Sequence, residues 1–186
     1  MKKSTVAGLC LAFIVPTALA DRPPSPPAPY VLKGACPFEC CTYRTWSVQT
    51  NTTLYSEPDR RSKPVGVVKA HEAVQGITGE VHSTPVKFIV KKPHDSYKPG
   101  DFLWVYSYQG EGSFLVLKNG ELASEELPFS PYDENSGTHC QKDDEYCWGV
   151  LEKKMSNPWW VKVKSTNGLE GWSDEPEHFG NKDACG

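Results

Sequence analysis

The stretch WWVKVKSTNGLEGWSD, Trp159 to Asp174, decides the fold class. Trp159, Val161 and Val163 alternate with Trp160, Lys162 and Lys164. Successive side chains of a strand point to opposite faces, so this period of two describes a β-strand with one face on a core. Asn167-Gly168 follows, a pair that favours the positive φ angles of tight hairpins. Outward from this segment the pattern repeats. In PVKFIVK, Val86, Phe88 and Val90 alternate with Lys87, Ile89 and Lys91. In DFLWVYSY, Phe102, Trp104, Tyr106 and Tyr108 are expected on one face, with Leu103 and Val105 on the other. Asn119-Gly120 supplies a second hairpin turn, and Gly110 to Gly112 reads as a turn or bulge between two strands. The one stretch with helical character is GELASEELPF, Gly120 to Phe129, long enough for one turn or two before Pro128.

The amino end is different in kind. Lys2 and Lys3 precede an apolar run from Val6 to Val15, and Ala18-Leu19-Ala20 forms a small-x-small site. That is the layout of a bacterial secretory signal peptide, residues 1–20, cleaved after Ala20. The apolar run is too short to span a bilayer, and no later stretch reaches the required length. Leu9 ahead of Cys10 lacks the small residue of a lipoprotein site, so Cys10 leaves with the signal. Residues 21–30, DRPPSPPAPY, carry five prolines between Pro23 and Pro29 and read as an extended polyproline tether. The domain proper is expected over 31–186.

Loss of Lys2 and Lys3 moves the formal charge from −3 to −5. A mildly acidic chain has no electrostatic reason to bind nucleic acid or an anionic membrane. Six cysteines remain after cleavage: Cys36, Cys40, Cys41, Cys140, Cys147 and Cys185. An even set in an exported chain predicts disulfides rather than ligands or nucleophiles. Cys40 and Cys41 are expected at the opening of a strand, facing opposite ways and each pairing with a distant partner. Six cysteines allow fifteen pairings, and the sequence does not choose among them.

The residues from Thr45 to Val81 also carry a family pattern. A strand ends in Leu54-Tyr55 with Pro58 in the turn, a short strand covers Val65 to Val68, and a third covers Glu72 to Ile77. The closing segment supplies a Trp-x-Lys-Val strand, a hairpin and Gly171-Trp172. The chain thus resembles bacterial Src-homology-3-like (SH3b) domains. The resemblance implies a small all-β SH3-like β-barrel, which the cysteines are expected to staple with disulfides. The chain departs from the family at about 81–158, where a β-hairpin or loop extension, or part of a second sheet, is inserted. The resemblance further implies cell-wall peptide, peptidoglycan or an envelope protein as ligand, and the signal peptide a periplasmic or secreted bacterial location.

Motifs for chemistry fall short on inspection. His71 begins HEAVQ, with Gln75 where a second zinc-binding histidine would stand. Ser113 in GEGSF lacks the strand-to-helix elbow of a nucleophile. His139, Cys140 and Cys147 lack the paired short spacings of a zinc site. Asp143-Asp144-Glu145 lacks the alternating oxygen ligands of a calcium loop. The five histidines, His71, His82, His94, His139 and His178, have no pairing pattern. The expectation is a non-enzymatic binding module without cofactor or metal. Trp104, Tyr106, Tyr108 and Trp160 are its candidate ligand-binding aromatics, with Trp160 turned outward if Trp159 turns in. The alternative is a small secreted enzyme or enzyme inhibitor using the inserted loop.

Overall fold

The structure is a computed structural model, which describes residues 27–131, 137–140 and 144–185. The signal peptide, the first six tether residues, Cys10 and Asp143 lie outside the described residues. Among the described residues, thirteen strands run in chain order. They are β1 (Tyr30–Lys33), β2 (Thr45–Val48), β3 (Thr52–Tyr55), β4 (Pro64–Val68) and β5 (Ala73–Ser83). Next come β6 (Val86–Val90), β7 (Phe102–Gly110), β8 (Ser113–Lys118), β9 (Glu121–Glu126) and β10 (Gly149–Leu151). The chain closes with β11 (Trp159–Ser165), β12 (Glu170–Ser173) and β13 (Phe179–Gly180). One 3₁₀ turn, Pro176–His178, is the only helical element among the described residues.

The strands form two sheets. Eight belong to the first, in the order β13-β2-β5-β11-β12-β3-β4, with β1 pairing a second stretch of β5. In that order β2 and β3 stand four inter-strand spacings apart, roughly 19 Å across a flat sheet. Yet four residue steps join Val48 to Thr52, which reach at most about 14 Å. The sheet must therefore curl. Hydrogen bonds from Val48 N to Glu72 O and from His71 N to Val48 O draw the β2 end against the β4–β5 turn. The result is a curled half-barrel whose end strands, β13 and β4, do not pair with each other.

The concave side holds Trp46, Trp159 and Phe179. Trp46 is fully buried, with its ring centroid 6.3 Å from that of Trp159 and 5.9 Å from that of Phe179. A Cβ on Gly76 would lie 2.8 Å from the Trp46 indole, so only glycine lets β5 approach that ring. The Ala35 carbonyl accepts from Trp159 Nε1 at 3.1 Å and from the Tyr43 hydroxyl, which ties the segment before β2 to β11.

The insertion is a sheet of its own. Paired strands β5 and β11 are consecutive arms of one hairpin, and residues 84–158 fill its loop. Instead of a hairpin or loop extension, these residues build a five-stranded antiparallel sheet, β10-β6-β7-β8-β9. Its separate core contains Val86, Phe88, Leu103, Phe114, Val116 and Trp148. The GELASEELPF segment is strand β9 and not a helical turn, because Leu122 finds Leu117 of β8 across the ladder and Ala123 finds Val116. Helical propensity of a few tenths of a kcal/mol per residue yields to such pairing. Glu121 and Glu126, both exposed, leave this edge strand charged. Asn119 and Gly120 both take positive φ, 52° and 87°, in the β8–β9 turn.

The disulfides pair Cys36 with Cys41, Cys40 with Cys185, and Cys140 with Cys147. Three bridges fit an oxidising compartment. Cys40 and Cys41 sit in a tight turn ahead of β2, not in a strand, and Cys40 has φ 59°. The turn lets Cys41 take a local partner only five residues away, against the expectation of two distant ones. Cys40 does reach across 145 residues to the carboxyl end. Backbone bonds from Thr42 N to Lys182 O and from Ala184 N to Cys40 O flank that bridge.

Candidate functional site

β11 brings Trp160, Lys162 and Lys164 to the convex face of the half-barrel. Its register sets Trp160 opposite Glu80 of β5 and Lys162 opposite Trp172 of β12; Trp172 in turn faces Tyr55 of β3. The Trp160 ring meets Tyr55 edge-on with centroids 6.2 Å apart and lies 6.3 Å from the His82 imidazole. His82 Nε2 is 3.0 Å from Glu80 Oε2. Trp160 is on the outward face that alternation requires, but it is only 5% exposed. Its flank, not its whole ring, is what a ligand would meet.

The β3–β4 loop, residues 56–63, borders this strip. Arg60 donates through Nε to both carboxylate oxygens of Asp174, at 2.9 and 2.7 Å, and its Nη2 lies 3.5 Å from Glu175. That clamp fixes the loop to the segment after β12. Asp59 is paired with Arg61 at 2.8 Å, and that hydrogen bonding holds its carboxyl below the usual carboxylate range. At the far end, Lys162 pairs with Glu170 at 2.7 Å and lies 5.9 Å from the Trp172 ring centroid. Its hydrogen bond and charge hold the Glu170 carboxyl below its ordinary range. The strip is thus an aromatic track, Tyr55–Trp160, with the Glu80 carboxylate beside it.

The other three sequence candidates lie on β7 and do not join Trp160 in one site. Trp104 faces the outer side of the five-stranded sheet, where Lys87 Nζ sits 5.2 Å from its ring and 4.9 Å from that of Phe102. Tyr106 touches Tyr30 of β1 edge-on at 5.6 Å, and burial raises its hydroxyl pKa. Tyr108 is on the opposite face, packed on Phe114 at 5.2 Å within the inner core. The physical cause is a β-bulge: Val105 pairs with Val116 and Ser107 with Leu115, so Tyr106 is an extra residue and the alternation resets after it. Tyr55, His82 and Glu80 were missed because their meeting with Trp160 depends on pairing between strands far apart in sequence. The edge position of Tyr55 beside the Pro58 turn was the one available signal.

One group of potential metal donors comes together among the described residues. The group Cys40, Asp183 and Cys185 brings three potential donors together, but both sulfurs are spent in one disulfide and are not thiolates. His94 stacks on Trp148 at 4.3 Å and His178 Nδ1 lies 3.1 Å from Thr52 Oγ1, so neither shares a site with His82. No described helix is long and apolar enough to cross a membrane. No protein-family profile, curated protein or solved structure matches the chain.

Proposed function

We propose that this chain is an exported, non-enzymatic SH3-like binding module of the SH3b kind, and that it takes an extended peptide of the cell wall or of an envelope protein. The observation that carries the reading is the convergence of Tyr55, Trp160 and His82 on the convex face, beside a loop clamped by Arg60. Aromatic side chains offer large contact area with few rotors to freeze, which suits recognition of an extended backbone. Glu80 gives the strip a carboxylate, so the preferred ligand carries an ammonium or guanidinium group near its aromatic contact. Disulfide pairing of all six described cysteines supports periplasmic or secreted residence. It also leaves no described thiolate to act as a nucleophile.

Calorimetric titration of the mature, oxidised protein with soluble cell-wall stem peptides tests the reading. Saturable binding that Tyr55→Ser and Glu80→Gln each weaken at least fivefold, with the circular dichroism unchanged, is the expected result. Absence of heat at millimolar peptide with a folded protein contradicts the cell-wall form of the proposal.

A further inference from the structure

Among the described residues, three pairs of adjacent cations stand at the surface: Arg60-Arg61, Lys91-Lys92 and Lys153-Lys154. Two cations in succession are a recognition signal for an endopeptidase whose subsites carry carboxylates. Cleavage also requires the segment to open locally, so the bonds that hold each pair decide which one can be used.

Two of the three are held. Arg60 is clamped to both carboxylate oxygens of Asp174, and Arg61 donates to Asp59 through its backbone N–H and its guanidinium. A backbone bond from Ser62 N to Asp59 O at 2.9 Å closes the turn that contains both arginines. At the second pair, Lys91 N and Lys92 N both donate to the Trp148 carbonyl, at 2.8 and 3.0 Å. Lys92 Nζ donates to the Asp144 carbonyl as well.

Lys153-Lys154 is different. It lies on the β10–β11 connection, residues 152–158, where neither strand nor helix forms. Glu152 N donates to Lys87 O at one end of this segment, and Pro158 O accepts from His82 N at the other. Between these bonds, neither lysine has a hydrogen-bond or ion-pair partner among the described residues. Met155, half-buried against the core of the inserted sheet, is the one apolar anchor.

The bridges decide what a cut would leave. Cys40–Cys185 spans the lysine pair, whereas Cys36–Cys41 and Cys140–Cys147 lie wholly on its amino side. β11 would stay paired with β5 on one side and β12 on the other. Hydrolysis adds water across one peptide bond, leaving a carboxylate on the amino-side fragment and an ammonium on the other, and no sulfur changes oxidation state.

We propose that Lys153-Lys154 is a processing site for an endopeptidase that recognises paired basic residues, and that the cut protein persists as two chains joined by Cys40–Cys185. This inference does not depend on the proposed peptide strip.

The test is digestion of the mature, oxidised protein with an endopeptidase selective for paired basic residues, read by mass spectrometry before and after dithiothreitol. The expected result is a single cut at Lys153-Lys154, giving one species without reductant and two fragments with it, at unchanged circular dichroism. Lys153→Gln/Lys154→Gln, at two exposed positions, should abolish the cut and leave the fold intact. First cleavage at Arg60-Arg61 or Lys91-Lys92 would overturn the inference. So would resistance of the folded protein under conditions that cut the reduced, denatured chain at all three pairs. Fragments that part without reductant would overturn the two-chain form.

Discussion

The two sheets treat their outer faces in opposite ways. On the half-barrel, the aromatics Trp160 and Trp172 are hemmed by the hydrogen bond between Glu80 and His82 and by the ion pairs of Lys162 with Glu170 and Arg60 with Asp174. On the inserted sheet, the outer face carries Phe102, Leu117 and Leu122, with Lys87 lying over rings instead of beside a carboxylate, and Ser113, Ser124 and Glu126 at its far end. A polar rim around an aromatic track leaves a surface that stays soluble when empty and can discriminate ligands. That contrast is why recognition is proposed for the half-barrel.

The largest expected effect separates the sheets through their bridges. Cys40–Cys185 closes a 145-residue loop that contains both sheets, whereas Cys140–Cys147 spans seven residues within the insertion. In the loop-entropy model these are worth about 5 and about 2 kcal/mol. Chemical denaturation of Cys40→Ser/Cys185→Ser should show the greater loss; equal losses would mean that the long bridge does not constrain the unfolded chain. Next comes Phe88→Ala, in the core of the insertion, with an expected cost of about 3–5 kcal/mol. Hydrogen exchange should accelerate first in β6 to β8, and uniform acceleration through β11 would show that the sheets unfold as one unit. Gly120→Ala in the β8–β9 turn forces a β-carbon on a residue at φ 87° and should cost about 1 kcal/mol.

The smallest effects concern pH. Burial raises the phenol pKa values of Tyr97 and Tyr106 in the insertion and of Tyr43 in the half-barrel. A raised folded pKa gives stability that is complete below the unfolded value near 10 and is lost as pH climbs through the folded value. Burial lowers the pKa of Lys182, which works in the opposite direction over the same range. Hydrogen bonds to Tyr97 and Glu125 raise the pKa of Lys118 as well. With four groups against one, melting temperature should fall above about pH 10, and Tyr97→Phe should flatten that fall. Glu170 is the mirror case. Its depressed pKa means that pairing with Lys162 persists until pH drops below the ordinary carboxylate range, and Glu170→Gln should remove only a shallow acidic slope.

The sequence made some of this legible and concealed the rest for physical reasons. Alternation in WWVKVKS and the Asn-Gly pairs are local signals, and they mark β11, the β11–β12 turn and the β8–β9 turn correctly. Tyr108 was misplaced because a bulge costs one residue of phase and leaves no mark in composition. β9 was misread because ELASEE is built from helix formers, and only its neighbour β8 makes it a strand. The Cys36–Cys41 pairing depends on a turn at Cys40 that local pattern does not announce. Tyr55, His82 and Glu80 come together through β3, β5, β11 and β12, a neighbourhood that exists only once the sheet has curled.

The most direct measurement is a chemical-shift map of the oxidised mature protein titrated with a cationic cell-wall stem peptide. The account predicts perturbations confined to Tyr55, the β3–β4 loop, His82 and the Trp160 indole, with β6 to β9 unmoved. Perturbations gathered instead on Phe102, Trp104 and Leu122 would contradict it, because the ligand would then have chosen the inserted sheet over the half-barrel.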